Sequence, residues 1–259
     1  MSSLLEIAVD DAGVATLTLN RPEKRNALNG ELVAALKGGL QSAASDDSVR
    51  VVALRGAGPD FCSGADLAEL ERIASMGEEE NLEDARSLGA LFAQMRSHPR
   101  PIVGVVHGRA LAGGCGLASA CDLVLAREDA EFGYPEVHLG FVPALVMTIL
   151  RRKVGEGEAF HLVAQGERFD AGEAKRLGLV TRVFSTEAFD GEVDRYLGRL
   201  AAKPPSAITM TKALLYELDA LDFSSGLERG AEVNAEARMT EACRDGVRRF
   251  LDKSSGGAV

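Results

Sequence analysis

The sequence has no cysteine spacing suited to a metal, no leading apolar signal and no surplus of positive charge, and each lack closes off a class of function. Its four cysteines, Cys62, Cys115, Cys121 and Cys243, form neither a CxxC pair nor a Cys/His ligand set. They read as buried, reduced thiols packing as small apolar groups, so no metal is expected. The opening run Met1-Ser2-Ser3-Leu4-Leu5-Glu6 lacks a basic stretch followed by a long apolar one, which predicts no signal peptide and a cytoplasmic location. Lys and Arg number 29 against 39 Asp and Glu, a net charge of −10. A phosphate-backbone binder concentrates positive charge on one face, so no nucleic-acid partner is expected. The apolar stretch from Pro101 to Ala126 is broken by His107, Arg109, Asp122 and several glycines, which excludes a membrane-spanning helix there.

What is present is enough for a large core: 259 residues, 46% of them apolar. Leu5 to Val9 and Val14 to Leu19 alternate as strands around the turn Asp10-Asp11-Ala12-Gly13, a hairpin pattern. Asn29 is placed to cap a helix carrying Leu32, Leu36, Leu40 and Ala43 on one face, with Leu28 stapled to Val33. A strand follows at Val49 to Leu54. Leu67 to Met95 reads as a mobile helical segment interrupted by Gly77-Glu78-Glu79-Glu80. Ile102 to Val106 and Leu123 to Ala126 are unalternating apolar runs, the pattern of strands buried on both faces. Asp170 caps a short helix from Ala171 to Leu177 that Gly178 stops. Helical runs follow at Thr186 to Leu200, Ser206 to Leu221 and Leu227 to Leu251, and Ser254 to Val259 reads as a loose tail. The expected architecture is α/β, with a core over residues 1–195 and a helical region over 196–259.

Two similar units stand out. Val51-Val52-Ala53-Leu54 runs through Gly56-Ala57-Gly58 to Phe61-Cys62-Ser63-Gly64-Ala65-Asp66. Ile102-Val103-Gly104-Val105-Val106 runs through His107-Gly108 to Ala112-Gly113-Gly114-Cys115-Gly116. In each a buried strand ends in small residues at the mouth of a helix, where unpaired N–H groups and the positive end of the dipole are available. Two such turns at adjacent strand ends can aim two backbone N–H groups at one oxygen. The same glycines also serve tight turns and close packing. Neither loop is a GxGxxG or a GxxxxGK nucleotide loop.

Four ordered motifs resemble those of the crotonase superfamily, the enoyl-CoA hydratase/isomerase family. They are Asn20-Arg21-Pro22-Glu23-Lys24-Arg25-Asn26-Ala27-Leu28, Phe61 to Leu67, Gly108 to Asp122, and Phe132-Gly133-Tyr134-Pro135-Glu136-Val137-His138-Leu139-Gly140. Gly172 to Val180 continues the match. The resemblance implies a spiral core of repeated ββα units, a helical C-terminal trimerisation region, and a homotrimer or dimer of trimers. It implies an acyl-CoA substrate with no separate cofactor, coenzyme A being part of the substrate. By position, the backbone N–H groups of Ala65 and Gly113 are the oxyanion donors and Glu136 is the proton-carrying carboxylate. Lys24, Arg25 and Ala27 fall along the adenosine end of coenzyme A, and Ser63, Asp66 and Leu67 near its pantetheine arm. Phe250 and Lys253 resemble a segment that reaches a neighbouring subunit's nucleotide.

One departure matters for the reaction. Hydratases of the family carry a second glutamate where this chain has Gly116. With Glu136 alone, hydration of a 2-enoyl-CoA, isomerisation of a 3-enoyl-CoA to a 2-enoyl-CoA, and non-catalytic acyl-CoA binding all remain open. Gly140 to Val146 also departs from the family's glycine-rich segment, toward a more apolar acyl pocket or ordinary helix-start packing. His138 and His107 read as structural, Tyr134 either packs or offers its hydroxyl to the site, and Asp66 either caps a helix or meets ligand.

Overall fold

The computed structural model describes residues 3–255, except for the side chains of Leu67 and of residues 253–255. Strands β1 (Leu5–Val9) and β2 (Val14–Leu19) form the expected antiparallel hairpin, Leu5 opposite Leu19. Asp10 closes its turn by accepting from the amides of Ala12 and Val14 at 3.0 and 2.8 Å. Helix α1 (Gly30–Ser45) begins where Asn29 accepts from the Leu32 amide, and Leu32, Leu36, Leu40 and Ala43 are its buried stripe. Then come β3 (Val51–Gly56), α2 (Leu67–Ser75), α3 (Glu78–Ser97), β4 (Ile102–Val106), β5 (Arg109–Leu111), α4 (Gly113–Ala120), β6 (Leu123–Arg127) and β7 (Glu131–Gly133). They are followed by α5 (Ala144–Lys153), α6 (Glu156–Gln165), β8 (Arg168–Asp170), α7 (Ala171–Arg176), β9 (Arg182–Phe184), α8 (Phe189–Ala201), α9 (Pro205–Glu217), α10 (Phe223–Met239) and α11 (Glu241–Ser255).

The main sheet runs β1-β2-β3-β4-β6-β9, parallel from β2 onward. The inner strands β3, β4 and β6 are largely buried on both faces, which explains their apolar runs. Val52, Leu54, Ile102, Val106 and Val124 face a core shared with α1, α3 and α4. Val51, Ala53, Val103, Val105 and Leu125 face Phe189, Val193, Leu197 and Ala201 of α8. Residue 195, the expected boundary of the core, therefore falls within a helix packed on the sheet. A second sheet, β5-β7-β8, is built from strands of three residues each. Those strands were not expected from the sequence, nor was α6, whereas α5 begins inside the Gly140 to Val146 run read as an acyl pocket or a helix start.

A break is present, but at Met76-Gly77: the acidic residues Glu78 to Glu80 do not interrupt a helix and instead form the first turn of α3. The run from Leu227 to Leu251 is two helices instead of one. Thr240 is extended (ψ 146°) and its hydroxyl oxygen accepts from the Cys243 amide at 3.2 Å, a cap that starts α11. Cys62, Cys115 and Cys121 are buried and free, and Cys243 is half-buried. The last four residues of the expected loose tail lie outside the described residues. Among the described residues no helix is long and apolar enough to cross a membrane.

A buried ion pair helps to tie α9 to the core. Lys212 of α9 reaches the Asp122 carboxylate at 2.8 Å and also donates to the carbonyls of Met95 and Arg100. The Tyr216 hydroxyl donates to the other Asp122 oxygen at 2.6 Å. Asp122 in turn accepts from the Ile102 amide at 2.6 Å, at the start of β4.

Candidate active site

The two glycine loops lie side by side at the C-terminal ends of β3 and β4. Cys62 donates to the Arg109 carbonyl and accepts from the Leu111 amide, both at 3.0 Å, so the first loop pairs along β5. A Cβ on Gly114 would stand 2.2 Å from the Cys62 carbonyl oxygen, and one on Gly64 2.9 Å from Ala112 Cβ. Only glycine permits this approach, and Gly64 also has φ +102°. The predicted glycine loops are thus one joined structure.

Hydrogen bonding turns the Ala65 amide outward. Leu28 donates to the Gly64 carbonyl at 2.7 Å and accepts from the Asp66 amide at 3.0 Å. In a parallel bridge those partners flank the middle residue, so the N–H of Ala65 points to the opposite side. On the second loop Ala112 adopts φ +48°, ψ −124°, a sparsely populated conformation for alanine, and spends its own amide on the Gly133 carbonyl at 2.9 Å. Gly113 then opens α4 with an amide that has no intrahelical partner. Two such donors on abutting loops are the equipment for holding a developing oxyanion.

The Asn20 to Leu28 motif braces the first loop. Asn26, fully buried at φ +54°, donates to the carbonyls of Ala57 and Asp60, both at 2.8 Å, and accepts from the Arg21 amide. Arg21 donates to the Ala27 carbonyl at 2.5 Å and pairs with Asp66 at 2.7 Å. Neither role was read from the sequence; a buried asparagine inside a charged turn was the available signal. Lys24 and Arg25 stand exposed on the same turn, and Ser63 donates its amide to the Arg25 carbonyl at 3.0 Å. Lys24, Arg25, Ala27, Ser63, Ala65 and Asp66 are therefore neighbours. Both oxygens of Asp66 are engaged, one with Arg21 and one capping α2 at the Ala68 amide. Arg21 holds that carboxyl below its ordinary value. Phe250 lies on α11 with 70% exposure, while the side chains of Leu67 and Lys253 lie outside the described residues.

Glu136 follows β7 in a tight 3-10 turn from Pro135 to Leu139, started by proline and ended by Gly140 at φ +68°. It is 8% exposed, and its Oε2 is buried without a hydrogen-bond partner. Among the described residues no other carboxylate oxygen is in that state. Burial raises its carboxyl above the ordinary value, opposed only by its own backbone amide. Three residues before it, Gly133 accepts from the Ala112 amide just ahead of α4. Tyr134 is fully buried, its hydroxyl 2.8 Å from that of Ser119, so it packs inside. His138 bonds the Gly166 carbonyl and His107 that of Gly58, both structural contacts. Gly116, on α4 three residues beyond Gly113, is buried against Val146 of α5.

The fold and this loop pair define an α/β protein of the crotonase fold. A model of the enoyl-CoA hydratase/isomerase family matches residues 10–256, and the chain belongs to that family. A provisionally named enoyl-CoA hydratase of Thermus thermophilus is 41% identical over 95% of this chain and 98% of that one. The 2,3-dehydroadipyl-CoA hydratase of Escherichia coli is 35% identical over 93% and 92%. A crystal structure of an enoyl-CoA hydratase from Mycobacterium smegmatis superposes with a TM-score of 0.93 at 36% identity, covering 97% of each chain.

Proposed function

We propose that the protein hydrates 2-enoyl-CoA thioesters through a thioester enolate, with Glu136 as both general base and general acid. The observation that carries this reading is the buried, unpartnered Oε2 of Glu136. The thioester oxygen accepts from the amides of Ala65 and Gly113, donors worth roughly 2.7–4 kcal/mol each where charge develops. Water gives a proton to Glu136 as its oxygen bonds to C3, and the C2=C3 electron pair moves toward the carbonyl to form the enolate. Glu136 then returns the proton to C2. The atoms balance with water alone, and coenzyme A leaves as part of the product.

Lys24, Arg25 and Ala27 take the adenosine end, and Ser63, Asp66 and Leu67 flank the pantetheine arm. Phe250 and Lys253 serve a neighbouring subunit in a homotrimer or dimer of trimers. Exposed Leu215, Phe223, Leu227 and Met239 on the C-terminal helices are consistent with such an assembly. The hydratase names of the relatives favour hydration.

A Glu136→Gln variant should lose about 10²–10⁴-fold in turnover while still binding acyl-CoA. Turnover equal to the parent's would overturn the role of Glu136. A second reading, isomerisation of 3-enoyl-CoA to 2-enoyl-CoA, is favoured by Gly116: one carboxylate suffices to move a proton from C2 to C4 across a dienolate. Assay of the purified protein on both thioesters at several chain lengths separates the two.

A further inference from the structure

Gly116 and Val146 are a size-matched pair. A Cβ on Gly116 would stand 2.5 Å from Val146 Cγ2 and 3.5 Å from Phe92 Cζ. The first distance is far inside van der Waals contact, so any side chain at 116 collides with the valine. Val146 cannot readily yield. It is 4% exposed, β-branched on the third residue of α5, and stiff at χ1. Gly116 is equally fixed, because its amide donates to the Ala112 carbonyl at 2.9 Å and so belongs to the turn that presents Gly113.

The consequence is chemical. The volume open to a carboxylate at 116 is filled by a methyl group of Val146, backed by the ring of Phe92, 7% exposed. A bound water needs two to four polar partners, and this wall supplies none from those side chains. Water activation is thereby confined to the Glu136 side.

We propose that Val146 sets how the enzyme's bound 2-enoyl thioester divides between two fates: addition of water at C3, or loss of a C4 proton to Glu136 and its return at C2 to give the 3-enoyl isomer. This rests on the enolate reading above. Both fates conserve atoms and use Glu136 as the only proton carrier. The valine methyls weight the second by denying the Gly116 side to water and to any second carboxylate, so that hydration has only the water beside Glu136.

The test is a cycle of Val146→Gly, Gly116→Glu and the double variant, read by product ratio from 2-enoyl-CoA and by melting temperature. Val146→Gly should raise the ratio of 3-hydroxyacyl to 3-enoyl product by about tenfold, less than the roughly 10²–10⁴-fold of a fully positioned base. Gly116→Glu alone should melt lower through overpacking, and the double variant should recover that loss and hydrate faster still. A product ratio within about twofold of the parent in both Val146→Gly and the double variant overturns the proposal, even if the melting temperatures couple. Should the parent turn over neither thioester, hydration gained by the double variant supports the proposal and its absence overturns it. Failure of the Glu136 assignment is distinguishable, because it appears in Glu136→Gln.

Discussion

The guanidinium of Arg21 meets the carboxylate of Asp66 at 2.7 Å, with both side chains nearly buried. That contact joins the turn bearing Lys24 and Arg25 to the cap of α2, and Ala65 lies immediately before the capping residue. The aim of the Ala65 amide therefore depends on Arg21, a residue outside the glycine loop. Arg21→Met should destabilise the protein by about 1–3 kcal/mol, the cost of leaving buried groups unpaired, and should lower kcat as well as acyl-CoA affinity. Urea unfolding and steady-state kinetics on the same preparation check both. The stability that Asp66 contributes is present above its unfolded pKa and is lost as pH falls through its depressed folded value.

Gly64 lets the two loops approach by the width of one missing methyl. At φ +102°, and with Ala112 Cβ 2.9 Å from where its own Cβ would be, Gly64→Ala must displace one loop. The expected result is a kcat loss of about 10²–10³-fold, comparable to removing one oxyanion donor. Stopped-time product assays give the number, and a loss under about threefold would separate the loop spacing from catalysis.

Burial raises the Glu136 carboxyl above its ordinary value, with a defined effect on activity and stability. As a base it works ionised, so kcat/KM should rise with pH along an acidic limb centred above the ordinary glutamate range. Because its folded pKa lies above its unfolded one, its favourable contribution is complete below the unfolded pKa and is lost as pH rises through the folded pKa. Glu136→Gln should therefore melt higher than the parent at neutral pH, and the difference should vanish in acid. Calorimetric scans across pH check the sign.

Lys212 is the buried cation that docks α9. Removing it by Lys212→Met strands Asp122, for an expected cost of about 3–5 kcal/mol. Asp122→Asn together with Lys212→Met should cost clearly less than the sum of the two single changes. Denaturant titrations of the four proteins measure the coupling.

The sequence made much of this architecture legible because the signals are local. Asn29, Asp66 and Asp170 all cap the helices that follow them, and the hairpin at Asp10 to Gly13 forms as its turn residues require. The three-residue strands β5, β7 and β8 escaped because they are too short to show a period, and only their pairing defines them. The break at Thr240 escaped although the cap residue was in view, since apolar residues continue on both sides of it.

Sequence alone determined where glycine was needed, that Glu136 follows Pro135 in the last of the four motifs, and that position 116 carries no carboxylate. Those are properties of single residues and their near neighbours. Only the tertiary structure decided that Leu28 turns the Ala65 amide outward, that Oε2 of Glu136 is buried without a partner, and that Val146 fills the space before Gly116. Burial and occupied volume are set by residues far apart in the chain, and they acquire a value only once the chain has packed.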